Sequence, residues 1–106
     1  MIESTKINDI VNRIALNFNP DKIILFGSYA VGNANEDSDL DLLIIKDTGQ
    51  PRHRRGFDIR KSLIGSMIPI DIVVYTKEEF EQEKDEKYSF LNSVIKSAKV
   101  LYERAN

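Results

Sequence analysis

The chain has 106 residues, 42% hydrophobic and 30% charged, with 15 Lys and Arg against 17 Asp and Glu, a net charge of −2 and a pI near 5.4. That length fits one domain over residues 1–106 with a modest core, too small for a catalytic domain plus a large substrate-binding domain. No apolar run approaches the ~18 residues of a membrane span, the opening residues lack the pattern of a secretory leader, and the acidic balance argues against direct binding of long nucleic acid. A cytoplasmic protein is expected. The absence of cysteine removes disulfides, thiolate nucleophiles and cysteine-held zinc, and a single histidine removes a multi-histidine site, so any metal must be held by oxygen.

In chain order, Ile7, Ile10, Val11, Ile14 and Phe18 recur at helical spacing, which predicts an amphipathic helix from Ser4 or Thr5 to about Asn17, stopped by Asn19-Pro20. Lys22 to Phe26 reads as a first strand, Tyr29 to Val31 as one helical turn ended by Gly32, and Asn33 to Ser38 as a polar loop. Asp39 to Ile45 is a second strand. Its apolar residues fall on both faces, so it should lie centrally with a layer on each side. After Thr48-Gly49-Gln50-Pro51 and the basic run Arg52 to Arg55, a helix is expected from about Phe57 to Met67, turning Leu63, Ile64 and Met67 inward. Ile70 to Tyr75 is a third strand carrying one acid, Asp71. An acidic stretch from Glu78 to Lys87 leads to a last helix in which Leu91, Val94, Ile95, Ala98, Leu101 and Tyr102 share a stripe, with Tyr88 also expected in the core.

The chemistry concentrates in two places. Gly27 and Ser28 close the run Ile23-Ile24-Leu25-Phe26, and ten residues separate Ser28 from Asp39, with Asp41 two positions further on. Along an extended strand, carboxylates two positions apart point to the same face and can share a divalent cation. Two like charges beside Leu and Ile are costly without a cation to offset them. The Gly-Ser turn offers a permissive backbone, a hydroxyl and free amide N–H groups, which suits phosphate. If Asp71 lies on the strand next to Asp39 and Asp41 with its carboxylate on the same face, the three acids can hold two magnesium ions, spaced ~3.5–4 Å in two-metal sites. That set is suited to phosphoryl or nucleotidyl transfer: Gly27 and Ser28 hold the nucleotide's phosphates, Asp39 and Asp41 bridge the metals, and Asp71 binds the metal next to the nucleophile and takes its proton.

The strings Gly27-Ser28-Tyr29-Ala30-Val31-Gly32 and Ser38-Asp39-Leu40-Asp41-Leu42-Leu43-Ile44 resemble the signature of the DNA polymerase beta-like nucleotidyltransferase superfamily. With the chain's length, Asp71, and the ending Val100-Leu101-Tyr102-Glu103, the resemblance narrows to the minimal nucleotidyltransferases, antitoxins encoded beside HEPN-domain toxins. It implies an α/β (α+β) fold with a small mixed sheet flanked by helices. It also implies magnesium-dependent transfer of AMP from ATP to a hydroxyl of the partner HEPN ribonuclease, a tyrosine, which silences the toxin. Members of that family often carry Arg where this chain has Val31. Arg52, Arg54, Arg55, Arg60 and Lys61 are candidates to replace that cation or to dock an acidic partner, against the simpler reading of a solvated loop decorated by His53. Two further readings stand beside the enzyme: an antitoxin that neutralises its toxin by binding alone, and a nucleotidyltransferase for a small molecule such as an aminoglycoside. Tyr29 either lines the nucleotide pocket or packs beneath it.

Overall fold

The computed structural model describes residues 1–105. The helical stripe forms α1 (Ser4–Phe18), which buries Ile10, Val11 and Ile14 and ends where Asn19 turns left-handed at φ 48° before Pro20. There follow β1 (Lys22–Phe26), the short α2 (Ser28–Val31), β2 (Leu40–Ile45), α3 (Arg52–Arg55), α4 (Phe57–Ser62), β3 (Ile70–Tyr75), α5 (Lys77–Glu83), α6 (Phe90–Ile95) and β4 (Lys99–Glu103).

The four strands make one mixed sheet in the order β3-β2-β1-β4, with β1 antiparallel to both β2 and β4 and β2 parallel to β3. Side chains alternate across it. On one face Ile23, Leu25, Leu40, Leu42, Ile44 and Ile72 pack with Ile10, Val11 and Ile14 of α1 and with Ile59 and Leu63 from the α4 region. On the other, Ile24, Phe26, Leu43, Ile45 and Tyr75 pack with Leu91 of α6, supported by Phe80 and Val94. The expectation for β2 therefore holds: it lies inside the sheet, and Leu42, Leu43 and Ile44 are fully buried. Each such side chain contributes ~1.5–3 kcal/mol by leaving water.

Three expectations need correction. The last helix does not run through Tyr102. It ends at Ile95, and Lys99–Glu103 becomes β4, hydrogen-bonded along β1 with a register shift between Ile23 and Ile24. The open edge of β1 and the strand preference of Val100 and Tyr102 outweigh a helical spacing that persisted by coincidence. The helix after Arg55 ends at Ser62, and the turn through Gly65 (φ 99°) and Met67 (φ 61°) leaves Ile64 80% and Met67 93% exposed, although Leu63 is buried as expected. Tyr88 is not core either: it is 90% exposed, at φ 73°. No helix among the described residues is long and apolar enough to cross a membrane.

The basic run is structural in large part. Arg60 donates to the carbonyl of Ile72 (2.7 Å), and Arg55 reaches the carbonyl of Val74 (3.5 Å) while donating to both oxygens of Glu79 (2.5 and 3.1 Å). Arg52 donates to Glu83 and Glu79, with its guanidinium 4.8 Å from the centre of the Tyr75 ring. Glu79 also completes a capping box at the start of α5, accepting the Thr76 N–H while Thr76 Oγ1 accepts the Glu79 N–H. One carboxylate thus ties α3 to α5. The Arg55 hydrogen bonds, helped by Thr76 and Arg52, hold Glu79 down at about 2 against an ordinary 4.5. A depressed acid lends stability that is fully present above its unfolded value and is lost as pH falls toward its folded one. Denaturant midpoints should therefore fall between about pH 4.5 and about pH 2, and Glu79→Gln should flatten that fall; an unchanged slope in the variant would show that Glu79 does not carry it.

Candidate functional site

β1 ends at Phe26, and Gly27 adopts φ 73° and ψ −156°, a conformation open in practice only to glycine, before Ser28 begins α2. This turn stands at the edge of the acids. The antiparallel register sets Phe26 opposite Asp41, and the parallel register sets Asp71 beside Asp41. Neighbouring strands lie ~4.8 Å apart and paired residues point to the same face, so Asp41 and Asp71 emerge side by side at one end of the sheet, on the face covered further along by α6. Asp39 lies immediately before β2 rather than inside it, two residues from Asp41.

Gly27 also makes room. A Cβ at that position would lie 2.1 Å from Asp41 Oδ2 and 3.0 Å from its carboxyl carbon, so the Asp41 side chain occupies space that any other residue would fill. Two independent constraints, the backbone angle and this close approach, therefore require glycine where the sequence places it.

Burial raises the pKa of Asp41 above its ordinary value, and the charges of Asp71 and then Asp39 raise it further. Asp71 and Asp39 thus lie near enough to Asp41 for their charges to act on it. Among the described residues none of the three enters an ion pair with Lys or Arg, and Asp39 and Asp71 are exposed. Among the described residues, no three acidic or imidazole side chains stand close enough together to hold a metal ion; the strand register brings Asp41 and Asp71 side by side, with Asp39 two residues from Asp41. As a donor set, three carboxylates free of basic partners beside a turn with spare N–H groups fit a hard divalent cation carrying phosphate.

The remaining candidates separate cleanly. Tyr29 packs beneath the sheet: its hydroxyl accepts the Ile2 N–H (2.9 Å), and its ring joins the α1-side core. Arg52 and Arg55 gather around Tyr75 and Glu79, four residues along β3 from Asp71, about 13 Å away at strand spacing. They are held there by α5 rather than placed beside Ser28. One neighbour of the site escaped sequence reasoning. Phe90, at the start of α6, meets Phe26 edge-to-face with ring centres 5.5 Å apart and stays 44% exposed. Nothing in its local spacing signals this, because the contact depends on how α6 crosses β1.

Gly27→Ala should leave the core intact yet push the Asp41 carboxylate aside, and a displacement near 1 Å at reacting groups can cost about 100-fold in rate. Kinetics of nucleotide transfer together with circular dichroism would check this; a folded Gly27→Ala variant with unchanged turnover would show that the close approach has no functional weight.

The family described as "Nucleotidyltransferase domain" matches residues 5–103. A Methanocaldococcus jannaschii protein named "Putative protein adenylyltransferase" is 34% identical over 109 residues, covering 96% of this chain and 100% of that protein. Among solved structures, a crystal structure titled as a "putative nucleotidyltransferase from Sulfolobus solfataricus" superposes with a TM-score of 0.66 over 94% of this chain and 79% of that one, at 20% identity, and so shares the fold. The chain belongs to the nucleotidyltransferase domain family, and it is a nucleotidyltransferase enzyme.

Proposed function

We propose that the chain transfers AMP from ATP to a hydroxyl of a partner protein, and that the partner is a HEPN-domain ribonuclease toxin silenced by the transfer at a tyrosine. The observation that carries this reading is the alignment of Asp41 with Asp71 across β2 and β3, with the Asp39 charge acting on Asp41 and Gly27 packed against it. The name of the M. jannaschii relative supports a protein acceptor. The antitoxin role and its HEPN partner follow from the motif's resemblance to the minimal nucleotidyltransferases, and a cytoplasmic setting goes with them.

In this scheme Ser28 Oγ and the amides of the turn hold the triphosphate, and Asp39, Asp41 and Asp71 hold magnesium. When bound, magnesium neutralises charge on the phosphate oxygens and lowers the pKa of a nearby hydroxyl. Asp71, the outermost of the three in the sheet order, faces the acceptor and takes the proton from its hydroxyl. The acceptor oxygen bonds to the α-phosphorus, the bond from that phosphorus to the bridging oxygen breaks, and pyrophosphate leaves. A bound cation would offset the burial and the like charges that raise the pKa of Asp41.

Co-expression with the proposed HEPN partner, followed by mass spectrometry of that partner, should reveal added mass of one or more AMP units. Asp39→Asn and Asp41→Asn should each abolish the addition while the fold survives. Retained labelling in both variants would refute the assignment of these acids.

A further inference from the structure

Of the three acids, the sheet places Asp41 and Asp71 but not Asp39. Asp39 stands one residue before β2, outside the ladders that set Asp41 opposite Phe26 and beside Asp71. Its place is decided by what holds the chain on either side of it. On one side, the Leu40 N–H donates to the Pro69 carbonyl (2.9 Å), and Leu40 is fully buried in the α1-side core. On the other lies the loop 33–38, whose residues are exposed or half-exposed and belong to neither core. Apolar packing therefore cannot hold the chain there.

The loop is held by its own polar groups. It leaves α2 through Gly32 at φ 80°, where the Gly32 and Asn33 N–H groups both donate to the Ser28 carbonyl (3.1 Å each). It then closes on Asn35. The Asn35 side-chain oxygen accepts the Asp37 N–H (2.8 Å), the Ser38 hydroxyl accepts the Asn35 N–H (2.9 Å), and the Asn35 carbonyl accepts the Ser38 N–H (3.1 Å). An asparagine side chain bonded to the backbone two residues on imitates a turn, and this turn ends at the residue before Asp39. With Ser38 closed onto Asn35 and Leu40 tied to Pro69, the Asp39 backbone is held from both sides while its exposed side chain stays free to rotate.

We infer that Asn35 is a positioning residue for cation binding: by closing the 35–38 turn it holds the Asp39 backbone where the carboxylate can rotate to join Asp41 and Asp71 on a divalent cation. This rests on the reading of the three acids as a cation site but not on the identity of the acceptor. A loose loop would have to be ordered each time a cation binds, and that ordering subtracts from affinity. Groups standing behind metal ligands act in this way, and losing one typically weakens metal binding about 10- to 100-fold.

The test is calorimetric titration of manganese, in the presence of a non-hydrolysable ATP analogue, into wild type, Asn35→Ala, Asn35→Ser and Asn33→Ala, with the thermal midpoint of each. Asn35→Ala should weaken manganese roughly ten-fold or more. Asn35→Ser, whose hydroxyl can accept the same N–H more weakly and adds no charge, should recover part of that loss. Asn33→Ala alters the same loop at a residue tied through its backbone N–H and should bind manganese as wild type does. Wild-type manganese affinity in Asn35→Ala, even with a lowered thermal midpoint, would make the turn a support of the loop alone and overturn the inference, as would an equal loss in Asn33→Ala. Absence of manganese binding by wild type would defeat the cation-site reading, and the inference with it. The acceptor reading is judged separately, by the mass of the partner.

Discussion

The structure turns on the registers that set Asp41 opposite Phe26 on one side and beside Asp71 on the other. β2 is a strand whose Leu40, Leu42, Leu43 and Ile44 are fully buried, so its position is dictated by both cores at once. A slip of one residue against β1 or β3 would turn its apolar set over and cost many kcal/mol of burial. The cores thereby fix the acids. Hydrophobic packing several residues away holds two carboxylates together against their repulsion, and burial with that repulsion raises the pKa of Asp41.

Glycine completes the arrangement. Gly27 accepts an angle that other residues avoid, and it leaves space for Asp41. The turn that presents Ser28 and the Asp41 carboxylate are thus interlocked through a missing Cβ. At the far end of the same sheet, Arg52, Arg55, Glu79 and Glu83 bind α3 to α5, and Arg55 and Arg60 occupy the outward carbonyls of β3. Charges at that end are paired and structural, while those at the other end are like-signed and open. That asymmetry is why one end of the sheet is read as chemistry and the other as scaffold.

Much of this was legible in the chain because the informative features are local. Gly27-Ser28, the spacing to Asp39 and Asp41, and the two-faced apolar character of β2 are read from neighbouring residues alone, and α1 follows from its stripe. The pairing of Asp71 with Asp41 could be stated only as a condition, since register between strands distant in sequence is set by tertiary packing. From Val100 to Tyr102 helical spacing and strand propensity coincide, and the unpaired edge of β1 decides between them. Ile64 and Met67 lie past the point where α4 stops, and Tyr88 lies between α5 and α6, so helical periodicity does not govern where these side chains point. Phe90 and the paired roles of Arg52 and Arg55 depend on contacts between elements, which no local pattern encodes.

The most direct test is a crystal structure of the chain with manganese and a non-hydrolysable ATP analogue, using anomalous scattering to place the metal. The account predicts metal bound between Asp39, Asp41 and Asp71, with the triphosphate along Gly27 and Ser28. Metal and triphosphate bound instead among the arginines near Tyr75, with the three aspartates bare, would contradict it.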